Sequence, residues 1–179
     1  MNLEALALAW MLRFAPLDQL PQLPGHAETQ EEGAARYERI AEAIAGACED
    51  SKTPRSCVAL LVAIGVGESR FARDADVGPC YRGKGYETRC DGGLAASVWQ
   101  AHAYGRDAQG EPVTVQQLFA DRDLAAKHVL RVARWSLYRC RRLPVEDRLA
   151  ALGGGCRASK SARARYRLWK RIESTEVKP

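Results

Sequence analysis

The stretch that most constrains this chain is TPRSCVALLVAIGVGESRF, residues 53–71. Every residue from Cys57 to Val66 is apolar or glycine. Thr53 suits a helix N-cap, and Pro54 suits the first helical position, where its missing N–H leaves nothing unpaired. A helix that is apolar all round has to be covered on every side, so the stretch predicts a central helix with other helices laid around it. It ends on a carboxylate, Glu68, between Gly67 and Ser69-Arg70-Phe71. An acid carried to the end of a buried helix is costly unless it is paired, or unless it is kept protonated and used to move a proton.

The remaining signals are also helical. An amphipathic helix is expected from Leu3 to Phe14, stopped by Pro16, and packed against the main domain. It lacks a basic leader and is too short to span a bilayer, so neither a secretory signal nor a transmembrane segment is recognisable. After the Pro-rich link PLDQLPQLPG, Thr29 with Glu31-Glu32 marks a helix start, and Tyr37, Ile40, Ala41, Ile44 and Cys48 follow at helical spacing. Residues Ser69–Gly93 are rich in Gly, Pro and charge and read as a long irregular segment or short hairpin, tied by Cys80 and Cys90. Helical patterning resumes over Ala95–Tyr104. Thr114 and Gln117 form a capping box, and Asp121 opens a long helix with Leu124, His128, Val132, Trp135 and Cys140. Pro144 opens a short helix to Leu152, and a basic helix spans Ser159–Ile172. The fold class is mainly α, with a small β-hairpin or irregular loop region and an accessory N-terminal helix. The expected units are residues 1–28 (helix and linker), 29–172 (main domain) and 173–179 (tail).

With 179 residues, 46% apolar and 27% charged, the chain can bury one sizeable core. Its net charge of +5 suits an anionic partner, whether nucleic acid, anionic lipid or cell-wall polymer, or else marks an Arg-rich surface. The charge is uneven. Seven acids and two arginines lie from Glu28 to Asp50, and seven Lys/Arg without an acid lie from Arg157 to Arg171. The six cysteines fall into near pairs, Cys48/Cys57, Cys80/Cys90 and Cys140/Cys156, each able to close a short loop. With no CxxC and no clustered Cys/His set, disulfides formed outside a reducing cytosol are expected, and no metal or cofactor is.

Three stretches now fall in order: GESRF with Glu68, DGGLAASVWQ with Gln100, and RLAALGGGC. Together they resemble the lysozyme-like superfamily of lytic transglycosylases and goose-type lysozymes, over roughly residues 54–156. That family carries an E-S-x-F motif, then G-L-M-Q, then A-x-Y-N near a Gly-rich turn. Glu68-Ser69-Arg70-Phe71 matches the first motif fully. Ser97-Val98-Trp99-Gln100 keeps the Gln of the second, and Ala151-Leu152-Gly153 stands where the Tyr and Asn of the third would be. The resemblance implies a helical, lysozyme-like fold and cleavage of the β-1,4 bond between N-acetylmuramic acid and N-acetylglucosamine. Peptidoglycan glycan strands would be the partner, in the periplasm or cell wall, reached by a virion, a lysis system or a secretion machine.

Glycoside cleavage needs a proton on the leaving oxygen. A carboxyl in apolar surroundings stays protonated to higher pH, so an apolar helix end is a device for keeping Glu68 an acid. A partner role toward Arg70 or Arg73 is the plainer alternative. Asp91, six residues before Ser97, is the candidate second carboxylate, or simply part of an Asp-Gly-Gly turn. Ser69, Tyr86, Trp99, Gln100 and Tyr104 are candidate substrate contacts, with Trp99 equally suited to the core; His102 is a weaker one, and His128 reads as a packed or surface histidine rather than a base. Two other classes compete. One is a non-catalytic structural or wall-binding module on the same fold. The other is a nucleic-acid-binding helical protein using RASKSARARYRLWKR, against which the central carboxylate and acidic N-terminal half argue.

Overall fold

The central helix forms as the apolar run predicts: α3 spans Pro54–Glu68, and every residue from Cys57 to Gly65 is buried. The computed structural model describes residues 2–20, 25–82, 88–103 and 112–177. The helices packed most extensively on α3 are α1 (Leu3–Phe14), α2 (Gln30–Cys48) and α7 (Lys160–Ser174). The long α6 (Arg122–Arg139), preceded by the short α5 (Val115–Ala120), closes over α2. The chain is mainly helical.

Local chemistry sets most helix starts. Thr29 and Glu32 exchange hydrogen bonds across the first turn of α2, and Thr114 and Gln117 do the same for α5. Asp121 and Ser159 cap α6 and α7 through their side chains. Thr53 makes no side-chain cap, so α3 begins with Pro54 at its first position and no such bond.

The N-terminal helix is not set apart from the main body. Leu6, Ala7, Trp10 and Met11 are buried in the same core as Ile40, Ile44, Leu61 and Ile64. Its partner at the far end is the C-terminal segment. Trp10 donates its indole N–H to the Thr175 carbonyl at 3.1 Å, and Arg55 on α3 donates to the Glu173 and Thr175 carbonyls at 3.2 and 3.1 Å. The Arg55 guanidinium stacks over the Trp10 ring, 4.9 Å from its centroid. Residues 173–175 are therefore pinned to both α1 and α3.

The segment after α3 departs from the sequence reading in two places. A short helix, α4 (Arg73–Val77), sits inside the stretch expected to be irregular. The expected hairpin follows it, with β1 (Tyr81–Arg82) antiparallel to β2 (Thr88–Arg89). Of the helix expected over Ala95–Tyr104, the described residues, 95–103, form none. Instead β3 (Ala95–Ala96) pairs with β4 (Ala101–His102), Ala95 opposite His102 and Ala96 opposite Ala101. Ser97 and Gln100, in the turn between them, take left-handed backbone angles, φ +64° and +47°. Two bonds to the rest of the protein favour this shape. The Ser69 hydroxyl donates to the Val98 carbonyl at 2.6 Å, and the Trp99 indole donates to the Leu61 carbonyl at 2.9 Å. Both bonds tie the turn to α3 and its end, and hold the stretch as a tight hairpin against them.

The short helix expected over Pro144–Leu152 is likewise broken into two 3-10 turns, Val145–Asp147 and Ala150–Gly153. Ser136 on α6 accounts for the break: it donates to the Arg148 carbonyl at 2.8 Å and accepts from the Ala151 N–H at 3.0 Å. The cysteines bridge in the three near pairs, Cys48–Cys57, Cys80–Cys90 and Cys140–Cys156. Three disulfides fit an oxidising compartment. Among the described residues no helix is long and apolar enough to cross a membrane.

Candidate functional site

The ESRF stretch turns the chain sharply at the end of α3. Arg70 and Phe71 both adopt left-handed backbone angles, φ +53° and +57°, a conformation that costs an L-residue free energy and needs compensation. Three contacts supply it. The Ser69 hydroxyl accepts from the Phe71 N–H at 3.0 Å while donating to Val98. Buried Arg36 donates to the Phe71 carbonyl at 2.8 Å. The Phe71 ring is fully buried edge-on to Tyr37, 5.7 Å between centroids, and lies so close to α3 that a Cβ on Gly65 would be 2.5 Å from it. Ser69 is thus the bracket that joins the first motif to the second. It is buried and bonded to main chain, and its hydroxyl does not reach Glu68.

This turn leaves Glu68 on the wall of a cleft of about 510 Å³. The expected apolar surroundings are only half present. The Glu68 side chain is 22% exposed, and it is ion-paired with a residue the sequence reading did not single out: Arg165 of α7, whose Nε and Nη2 approach Glu68 Oε1 at 2.6 and 2.5 Å. Neither Arg70 nor Arg73 takes that role; Arg73 donates instead to the Ala27 carbonyl. Arg165 falls on the inward stripe of α7, with Ala162, Tyr166, Trp169 and Ile172. A cation placed on the apolar stripe of an amphipathic helix was the available signal. Its Nη1 is buried and bonded to nothing among the described residues.

Asp91 and His102 line the same cleft, with the Asp91 carboxylate against His102 Nε2. Asp91 carries a left-handed backbone, φ +46°, directly before two glycines, so it belongs both to a turn and to the cleft. Behind His102, His128 donates Nε2–H to the His102 carbonyl at 2.9 Å, and Arg131 donates to His128 Nδ1 at 3.0 Å. These bonds fix His128 as the neutral tautomer. Burial, chiefly, and the nearby Arg131 charge push its pKa below the ordinary histidine value. It is a packed histidine, 3% exposed.

Gln100 also faces the cleft, its amide donating to the Ser97 carbonyl at 3.1 Å. Trp99 contributes to the cleft wall but is 2% exposed and bonded to α3, so most of its ring is core. Tyr86 and Tyr104 lie outside the described residues. The third stretch arrives as well, through Leu152, Gly153 and Gly154. Three separate segments, GESRF, CDGGLAASVWQ and ALGGG, thus meet at one concavity. The basic run over Arg157–Arg171 is partly consumed inside the protein: Arg163 binds buried Asp147, Arg165 binds Glu68, and Lys170 binds Glu173. No family model, no curated protein and no solved structure matches this chain.

Proposed function

We propose that the protein cleaves peptidoglycan glycan strands at the β-1,4 bond between N-acetylmuramic acid and N-acetylglucosamine, with Glu68 as the group that gives and takes the proton. What supports this most is the convergence of the three motif-bearing segments on one cleft around Glu68, with Asp91 and Gln100 facing it. In this reading a sugar entering the cleft displaces water from Glu68 and competes for the Arg165 guanidinium. Loss of those charge-assisted bonds favours the protonated acid that protonates the leaving oxygen. The resulting carboxylate then acts as base. If it takes the proton of the sugar's own 6-hydroxyl, an anhydro ring closes (a lytic transglycosylase). If it works with Asp91 on a water, the bond is hydrolysed (a lysozyme). The periplasm or cell wall is the corresponding place of action.

One observation favours a second reading, a wall-binding module without activity: Glu68 already has a cationic partner, Arg165. Purified peptidoglycan with wild type beside Glu68→Gln separates the two. Cleavage predicts soluble fragments whose release falls at least 100-fold in the variant, the usual scale of a general acid–base group. Fragment mass then decides the chemistry, since an anhydro end is one water lighter. Equal release by both proteins refutes the role of Glu68. Binding to the wall without any release favours the module.

A further inference from the structure

A second groove, of about 950 Å³, opens beside the cleft and shares Val132 and Gly154 with it. Three arginines line it: Arg131 and Arg139 on α6, and Arg142 just beyond. No acidic residue is among the described residues lining it. The Arg139 and Arg142 side chains are exposed, and their guanidinium groups make no hydrogen bond or ion pair with other described residues. Between the arginines stands Trp135, which is 52% exposed, whereas Trp10 and Trp99 are buried. The groove is braced rather than loose. Both cysteines of the Cys140–Cys156 bridge line it, and Gly154, with φ +105°, lets the chain turn along its edge.

Guanidinium forks pair with carboxylates in parallel hydrogen bonds, and an exposed indole face accepts methyl groups or a sugar ring. A ligand matched to both carries several carboxylates on a short, partly apolar chain. Continuity with the cleft adds that it should be attached to whatever occupies the cleft. We propose that this groove is a subsite for the carboxylate-bearing peptide branches of the glycan strand, holding them while the sugar chain lies across Glu68. This inference rests on the glycan-cleaving reading for its choice of ligand.

The test is calorimetric binding to the Glu68→Gln protein, which prevents turnover, with and without Arg139→Gln and Arg142→Gln. Three ligands are compared: peptide-bearing disaccharide fragments, the same glycan with its peptides removed, and the free peptide. The peptide-bearing ligand should bind at least 10-fold tighter than the bare glycan. The double substitution should erase that difference and leave bare-glycan binding and thermal stability unchanged. The free-peptide arm needs no cleavage. If wild type releases no fragments while free peptide binds in an Arg139/Arg142-dependent way, the cleavage reading fails and the subsite stands. The subsite is refuted if peptide-bearing and bare glycan bind alike, if the double substitution leaves the preference intact, or if inorganic polyphosphate displaces the peptide as readily as the peptide itself, which would mean undirected charge attraction.

Discussion

Replacing Gly65 by alanine gives the sharpest test of how the site is positioned. In the interior of an exposed helix, Gly→Ala stabilises by about 1 kcal/mol, because glycine loses more backbone freedom on folding. At Gly65 the new methyl would lie 2.5 and 2.6 Å from two Phe71 ring carbons, well inside ordinary contact. The ring has little freedom to move away: it is fully buried, edge-on to Tyr37, and its carbonyl is bonded to Arg36. Overpacking of this kind costs about 1–3 kcal/mol. With the ring pinned we take about 3 kcal/mol, which leaves a net loss of about 2 kcal/mol after the helix gain. For a chain of this size that corresponds to a melting temperature lower by roughly 4–8 °C. Gly46 on α2 is the internal control. It is exposed, and a Cβ there would meet nothing within 4 Å, so Gly46→Ala should raise stability by about 0.5–1 kcal/mol. Urea and thermal unfolding of both variants provide the measurement. If Gly65→Ala is neutral or stabilising like its control, Phe71 is not wedged on α3, and the account of how the turn aims Glu68 is wrong.

Two further perturbations address the buried charges. Asp76 is 2% exposed and bound by Arg122 through two bonds of 3.0 and 2.7 Å, with Arg36 farther off at 3.9 Å. Arg122→Met should therefore cost about 2–4 kcal/mol in urea unfolding, with partial recovery in Arg122→Lys; a loss below about 0.5 kcal/mol would mean Arg36 alone suffices. His128 is held neutral, with its pKa lowered by burial. Above the ordinary histidine value, about 6.5, neither folded nor unfolded state carries its proton, so it contributes no pH dependence. Below that value the unfolded chain binds a proton that the folded one refuses, and stability falls until the folded pKa is reached. The urea midpoint should drop more steeply between pH 7 and 5 in wild type than in His128→Gln; equal slopes would count against a buried neutral His128.

Local chemistry made much of this fold readable in advance. Thr29–Glu32 and Thr114–Gln117 announce helix starts because capping is settled within four residues, and the apolar run of α3 announces its own burial. The near-paired cysteines bridge over 9, 10 and 16 positions, short enough to be seen as loops. The Ala-Ala-Ser-Val-Trp-Gln stretch misleads because its shape is decided by Ser69 and Leu61, 29 and 38 residues away. Arg165 is hard to single out for the same reason: 97 residues separate it from Glu68, and only its place on the apolar stripe of α7 sets it apart from the other cations of the basic run. The arginine groove is hidden because the arginines of α6 and the Gly-rich turn meet only after folding.

The clasp that residues 173–175 form with α1 and α3 bears on how the cleft comes into being. During synthesis α3 leaves the ribosome long before α7, so its carboxylate has no Arg165 to meet and its apolar face lacks its last cover. Docking of α7, latched by Trp10 and Arg55 onto Glu173 and Thr175, delivers the partner of Glu68. A protease that severs the chain between Cys156 and Lys160, beyond the Cys140–Cys156 bridge, would leave α7 and its hold on the carboxylate resting on non-covalent contacts alone.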